Sequence, residues 1–116
     1  MTKRPVSIGE KARIREAMEV LQSMEIRHLP VINDDREIVG MLSDRDLREI
    51  RADGMDGRVT EIMSTNVFSV EEEDDIEDAV ELMLDNKIGA VPVVDGEGAL
   101  VGIISYVDVL REAHFD

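Results

Sequence analysis

Two short segments of this chain share one pattern: a glycine, two apolar residues, a serine, and an aspartate three positions further on. They are Gly40-Met41-Leu42-Ser43-Asp44-Arg45-Asp46 and Gly102-Ile103-Ile104-Ser105-Tyr106-Val107-Asp108. In each, the apolar pair ends a strand and the serine begins a helix. A helix N-terminus offers free N–H groups and the positive end of the macrodipole, which suits a phosphate. The aspartate stands one turn in, on the serine's side. Its carboxylate can accept hydrogen bonds from both hydroxyls of a ribose, a contact that inorganic phosphate cannot make. The same spacing also reads as a capping box, in which serine and acid satisfy the first backbone groups of the helix. The two readings are compatible, since one serine can cap while a ligand lies beside it.

Other chemistries find little support. The chain has no Cys, which excludes disulfides, thiolate metal sites and a thiol nucleophile. His28 and His114 are isolated, without paired-histidine spacing for zinc. There is no Gly-x-x-x-x-Gly-Lys-Ser/Thr loop, and Ser43 and Ser105 sit in no nucleophile motif. The acidic run Glu71–Asp75 does not follow calcium-loop spacing and reads as a solvated helix start. Met18 and Met83 read as packing residues. The net charge of −14 argues against nucleic acid and anionic membranes as partners. No apolar stretch is long enough to cross a bilayer, and Thr2–Arg4 leads into a strand-like segment, not a leader. The expectation is a non-enzymatic, soluble, cytoplasmic protein with no metal.

The elements that position these residues follow from an internal repeat. Displaced by 62 residues, the chain matches itself at 12 of the 45 positions 7–51 without a gap, including Pro30-Val31 on Pro92-Val93, Val39-Gly40 on Val101-Gly102, Ser43 on Ser105 and Asp46 on Asp108. Each copy reads as strand, helix, strand, strand, helix. The first strands are Pro5–Ile8 and Val67–Val70. The first helices carry one apolar face, Ile14, Ala17, Met18 and Leu21 in one copy and Ile76, Ala79, Val80 and Met83 in the other. A hairpin follows: His28–Ile32 with Ile38–Leu42, and Ala90–Val94 with Leu100–Ile104, joined by the polar turns Asn33–Arg36 and Asp95–Gly98. The last helices are expected over Ser43–Arg51 and Ser105–Ala113. Ala52–Ile62, with Gly54 and Gly57, is the connector. The fold class is α/β (α+β): two β-α-β-β-α repeats over 1–54 and 63–116, with 55–62 as linker. One copy of this size is marginal alone. The expectation is that the two bury their sheets against each other about a pseudo-twofold axis, leaving a cleft that occurs twice.

The segments Ile26-Arg27-His28-Leu29-Pro30-Val31-Ile32 and Ile88-Gly89-Ala90-Val91-Pro92-Val93-Val94, with the two Gly-to-Asp segments, resemble the cystathionine-β-synthase (CBS) domain family. The resemblance covers both copies, and the whole is similar to a stand-alone CBS pair, or Bateman module, of the acetoin-utilisation type. It implies a sensor of an adenosyl ligand (AMP, ADP, ATP, S-adenosylmethionine or a dinucleotide) as effector, with no obligatory cofactor. It also implies a homodimer forming a disc of four repeats, and a separate effector protein. The ligand-binding residues it implies are Ser43, Arg45 and Asp46 in the first copy and Ser105, Tyr106 and Asp108 in the second. Arg27 and His28 are added as phosphate contacts, expected to reach across to the Ser105–Asp108 site. Thr65 and Asn66 are added at the opening of the second copy.

Charge sharpens the expectation. Residues 1–54 carry a net −1 and residues 55–116 a net −13. AMP carries about two negative charges at neutral pH and ATP about twice that. Without a bound metal, AMP or the zwitterionic S-adenosylmethionine is expected over free ATP. Arg27-His28 align with Gly89-Ala90, so the two binding sites are expected to be chemically unequal. The alternative reading is a structural dimerisation module with an empty or vestigial cleft, which Gly89-Ala90 and the acidic half favour.

Overall fold

The computed structural model describes residues 2–3 and 5–114. In chain order the elements are β1 (Thr2–Lys3), β2 (Ile8–Gly9), α1 (Ile14–Met24), β3 (His28–Ile32), β4 (Ile38–Ser43), α2 (Asp44–Arg48), β5 (Val70–Glu71), α3 (Ile76–Asn86), β6 (Ala90–Val94), β7 (Leu100–Ser105) and α4 (Tyr106–His114), with 3₁₀ turns at Ala52–Gly54 and Val59–Glu61. They form two compact units. One spans Val6–Val67; the other runs from Phe68 onward and includes β1.

The repeat is written into the hydrogen-bond ladders. In the first unit β2 runs parallel to β3, and β3 antiparallel to β4, with His28 opposite Ser43, Leu29 opposite Leu42, Pro30 opposite Met41 and Val31 opposite Gly40. In the second, β5 runs parallel to β6, and β6 antiparallel to β7, with Ala90 opposite Ser105, Val91 opposite Ile104, Pro92 opposite Ile103 and Val93 opposite Gly102. Every pair is displaced by the 62-residue period, and each ladder is interrupted at the same place, between Val31 and Ile32 and between Val93 and Val94. The turns match as well. Asn33 Oδ1 accepts from the N–H groups of Asp35 and Glu37, and Asp95 Oδ1 from those of Glu97 and Ala99. These are side-chain-stabilised turns of the kind Asn and Asp favour.

Each unit has its own core. Ile14, Ala17 and Leu21, the expected apolar face of α1, are buried against Leu29, Val31, Leu42, Leu47 and Val59. Met18 only half-buries. In the second unit Ala79 and Met83 of α3 pack with Val70, Val91, Val93 and Ile104, while Ile76 and Val80 stay half-exposed. A fully buried Leu or Val side chain is worth about 1.5–3 kcal/mol, so each unit rests on a handful of such residues.

Three details differ from the sequence expectation. The first strands shrink to Ile8–Gly9 and Val70–Glu71, because each pairs in parallel only with the last two residues of its neighbour (Val31 and Ile32, Val93 and Val94). Ser43 is the last residue of β4, with extended φ −126° and ψ 162°, and α2 stops at Arg48. Beyond it Ile50 turns inward to pack on the core. The connector is also tied to the first unit. Ile14 N–H donates to Gly57 C=O at 2.8 Å, Arg15 N–H to Met55 C=O at 2.9 Å and Val59 N–H to Ala12 C=O at 3.0 Å. Val59 is 0% exposed. Ser64 and Met41 exchange backbone bonds at 2.9 Å, and Met63 lies over Gly40, where a Cβ would collide with its sulfur and Cγ. In the second unit β1 pairs antiparallel with β7, Thr2 opposite Ile103. That pair is the repeat counterpart of Ser64 and Met41.

Candidate functional site

The site candidates gather where β4 becomes α2 and where β7 becomes α4. At the first joint the Ser43 N–H donates to Asp46 Oδ2 at 3.0 Å, and the Asp46 N–H donates to Ser43 Oγ at 3.3 Å. This is a reciprocal capping box. At the second joint the Ser105 N–H donates to Asp108 Oδ2 at 2.8 Å and the Ser105 hydroxyl donates to the same oxygen at 3.3 Å. All four residues are half-buried. Both joints are braced from the preceding strand in the same way: Asp44 N–H donates to Arg27 C=O at 3.0 Å, and Tyr106 N–H to Gly89 C=O at 3.2 Å. The bonds described to each aspartate use Oδ2. Oδ1 therefore sits at the strand–helix corner on a carboxylate whose orientation is already fixed.

The first joint carries more than the capping pair. Directly opposite residues of an antiparallel ladder put their side chains on one face, with Cβ atoms about 4.5–5.5 Å apart. His28 is opposite Ser43 and so shares its face. The imidazole is half-buried. Burial holds it below its ordinary value of about 6.5, against the opposing pull of Asp44; Arg27 adds to the lowering and Asp46 opposes it. At the second joint the same rung holds Ala90, which is buried and cannot titrate.

The remaining expected residues fall as follows. Arg27 and Arg45 are exposed near the first joint, and Tyr106, the first residue of α4, is 44% exposed at the second. Thr65 and Asn66 are exposed and belong to the first unit, following Ser64 along the edge of β4. Antiparallel pairing of Ser64 with Met41 carries them away from Ser43 along that edge. Thus Arg27, His28, Ser43, Arg45 and Asp46 come together in one unit, and Ser105, Tyr106 and Asp108 in the other. Asp44 was not singled out from the sequence. It acts on His28 and also pairs with Arg48 at 4.0 Å. Its signal was its place in the first turn of α2, where an acid is ordinarily read as a dipole partner. Among the described residues no cluster of three or more His, Asp or Glu side chains is placed to hold a metal ion, and no helix is long and apolar enough to cross a membrane.

A β-α-β-β-α unit present twice, with a Ser-x-x-Asp corner in each copy, defines a tandem-repeat module of the Bateman kind. The CBS domain profile matches residues 1–53 and 59–114. The chain belongs to the CBS domain family. The inosine-5'-monophosphate dehydrogenase of Aquifex aeolicus is 30% identical over 112 residues, which is 96% of this chain and 23% of that protein. The chain thus spans about a quarter of the length of this and similar curated relatives. Among solved structures, AcuB of Vibrio cholerae superposes with a TM-score of 0.86 at 29% identity, covering 97% of this chain and 85% of that one. CBSX2 in complex with AMP gives 0.86 at 30% identity over 97% and 91%. A CBS domain pair in complex with 5'-methylthioadenosine and S-adenosyl-L-methionine gives 0.85 at 28% identity over 97% and 93%.

Proposed function

We propose that the chain is a non-catalytic regulatory module that senses an adenosyl ligand and passes its binding to a separate partner as a shift in conformation. The observation that carries this reading is the paired Ser-x-x-Asp corner, in which Asp46 and Asp108 are held through Oδ2 with Oδ1 left for ribose hydroxyls. Similarity to CBS pairs solved with AMP and with S-adenosyl-L-methionine supports the choice of ligand class. Ser43, Arg45 and Asp46 of one copy and Ser105, Tyr106 and Asp108 of the other are assigned to the ligand, with Arg27 and His28 as phosphate contacts and the Ser105–Asp108 corner as the better phosphate site. Thr65 and Asn66 are assigned contacts to the same ligand. A ligand shifts such a module only by its differential affinity for two conformations. The reading sets the module in the cytoplasm. The test is thermal unfolding with AMP, ADP, ATP, S-adenosylmethionine and NAD. A ligand at 100 times its dissociation constant adds about 2.7 kcal/mol, several degrees in a domain of this size. No movement with any of the five would reject the reading.

One observation favours a second role. Leu84, Val107 and Leu110 are 64%, 54% and 67% exposed on α3 and α4. We infer that this apolar surface supports self-association, so that homodimer formation accompanies ligand sensing or, should no ligand bind, replaces it as the function.

A further inference from the structure

The two units share one arrangement of helices but present different outer faces. In the second unit Ala79 and Met83 of α3 are buried, and Val109 of α4 packs against the same core. Leu84 on α3 and Val107 and Leu110 on α4 are turned the other way, each more than half exposed. Val107 and Leu110 stand three residues apart and so share one face of α4. The 62-residue period places Gln22, Arg45 and Arg48 at the same three positions of the first unit, and all three are exposed. Arg48 there pairs with Asp44 at 4.0 Å. Among the described residues of the first unit, the one large apolar side chain more than half exposed is Met24, at the end of α1. The repeat has thus kept an apolar outer face on one helix pair and a charged one on the other.

We propose that two copies of the chain associate second unit against second unit through Leu84, Val107 and Leu110, about a twofold axis, and not second unit against first. The inference rests on the self-association reading above and adds which surfaces meet. A twofold contact sets one patch against itself, so apolar side chains meet apolar side chains. In the crossed arrangement the same three residues would cover Gln22, Arg45 and Arg48, and the guanidinium groups would leave water against a surface that offers them no carboxylate. Charge opposes the like contact at its rim. Glu81 and Asp85 flank Leu84 along α3 and are exposed, and residues 55–116 carry a net −13. Two such rims repel, and salt screens that repulsion. The crossed arrangement would instead bring Glu81 and Asp85 towards Arg45 and Arg48, an attraction that salt weakens. The two arrangements therefore answer salt with opposite sign.

The test uses the whole chain, whose lack of cysteine lets single thiols be introduced cleanly. Sedimentation equilibrium of wild type, Leu110→Glu and Arg48→Gln, each first shown to be folded by circular dichroism, is run at about 0.1 M and about 1 M sodium chloride, between which the Debye length falls from about 10 Å to about 3 Å. The expected result is a wild-type dimer that tightens several-fold with salt, a dimer at least about tenfold weaker in Leu110→Glu, and one unchanged in Arg48→Gln. Arg111→Cys, beside Leu110, and Glu49→Cys, its repeat counterpart, are then treated with a short bismaleimide, singly and as an equal mixture told apart by a mass tag. Arg111→Cys is expected to join to itself, with the mixed product at the background set by Arg111→Cys carrying Leu110→Glu. A dominant mixed product, a dimer weakened by salt, or a dimer as strong in Leu110→Glu as in wild type overturns this arrangement and leaves self-association standing. A wild-type monomer at every concentration overturns both.

Discussion

His28 faces Ser43 across the β3–β4 ladder, whereas the same rung of the β6–β7 ladder sets Ala90 against Ser105. Two copies of one fold thus carry a titratable imidazole on this rung in one and a buried methyl in the other. The two ladders have kept their register to the residue while the chemistry of the rung has parted.

The capping geometry makes a local prediction. Ser43→Ala removes the oxygen that accepts the Asp46 N–H and should cost about 1 kcal/mol, the usual loss for such a cap, measured by urea unfolding. At Ser105 the hydroxyl donates to a carboxylate that the Ser105 N–H already engages. Ser105→Ala should therefore cost less than Ser43→Ala. The reverse order would mean that the two corners are held differently from this geometry.

The connector is part of the first unit's core. Val59→Ala deletes two buried carbons at a 0% exposed site and should cost about 2 kcal/mol by transfer plus cavity terms. A thermal midpoint within a degree of wild type would mark the segment as a dispensable tether.

Glu25 and Lys87 cap α1 and α3 in the left-handed region, at φ 54° and 55°. They are repeat partners, and neither is glycine. Glycine adopts that conformation without Cβ strain. Glu25→Gly and Lys87→Gly should each stabilise by about 0.5–1 kcal/mol, visible as a raised denaturation midpoint. Conversely, Gly98→Ala, at φ 85° in the second hairpin turn, should destabilise by a similar amount.

Much of this was legible in the sequence because its signals are local or doubled. The 62-residue period fixed both hairpins, and β3 and β6 fall on the expected residues, His28–Ile32 and Ala90–Val94. The Ser-x-x-Asp corners were readable since capping involves residues three apart. What escaped depends on distant partners. Thr2–Lys3 has no alternation of its own and becomes a strand only through β7. Val59 stands among polar residues in a segment without periodicity, and only tertiary packing buries it. The charge balance around His28 follows from β3–β4 register, which no short window reveals.

The lowered proton affinity of His28 sets a pH dependence of stability. In the unfolded chain the imidazole regains its ordinary value of about 6.5, so near that pH the unfolded state binds more protons than the folded one. Stability therefore rises with pH through the interval between the lowered folded value and about 6.5, and is lost as pH falls through it. The effect is modest, because the group is only half-buried. Thermal midpoints of wild type and His28→Gln, compared between about pH 7.5 and about pH 5.5, should converge at the alkaline end if ligand is absent, with wild type losing more on acidification.

The central claim is that the corner aspartates grip an adenosyl ligand. Its most direct test is calorimetric titration of AMP and S-adenosylmethionine into wild type, Asp46→Asn and Asp108→Asn, each first shown to be folded. A lost charge-assisted hydrogen bond is worth about 1.5–3 kcal/mol, so the account predicts at least about a tenfold loss of AMP affinity in Asp108→Asn. Unchanged affinity for both ligands in both variants would contradict it.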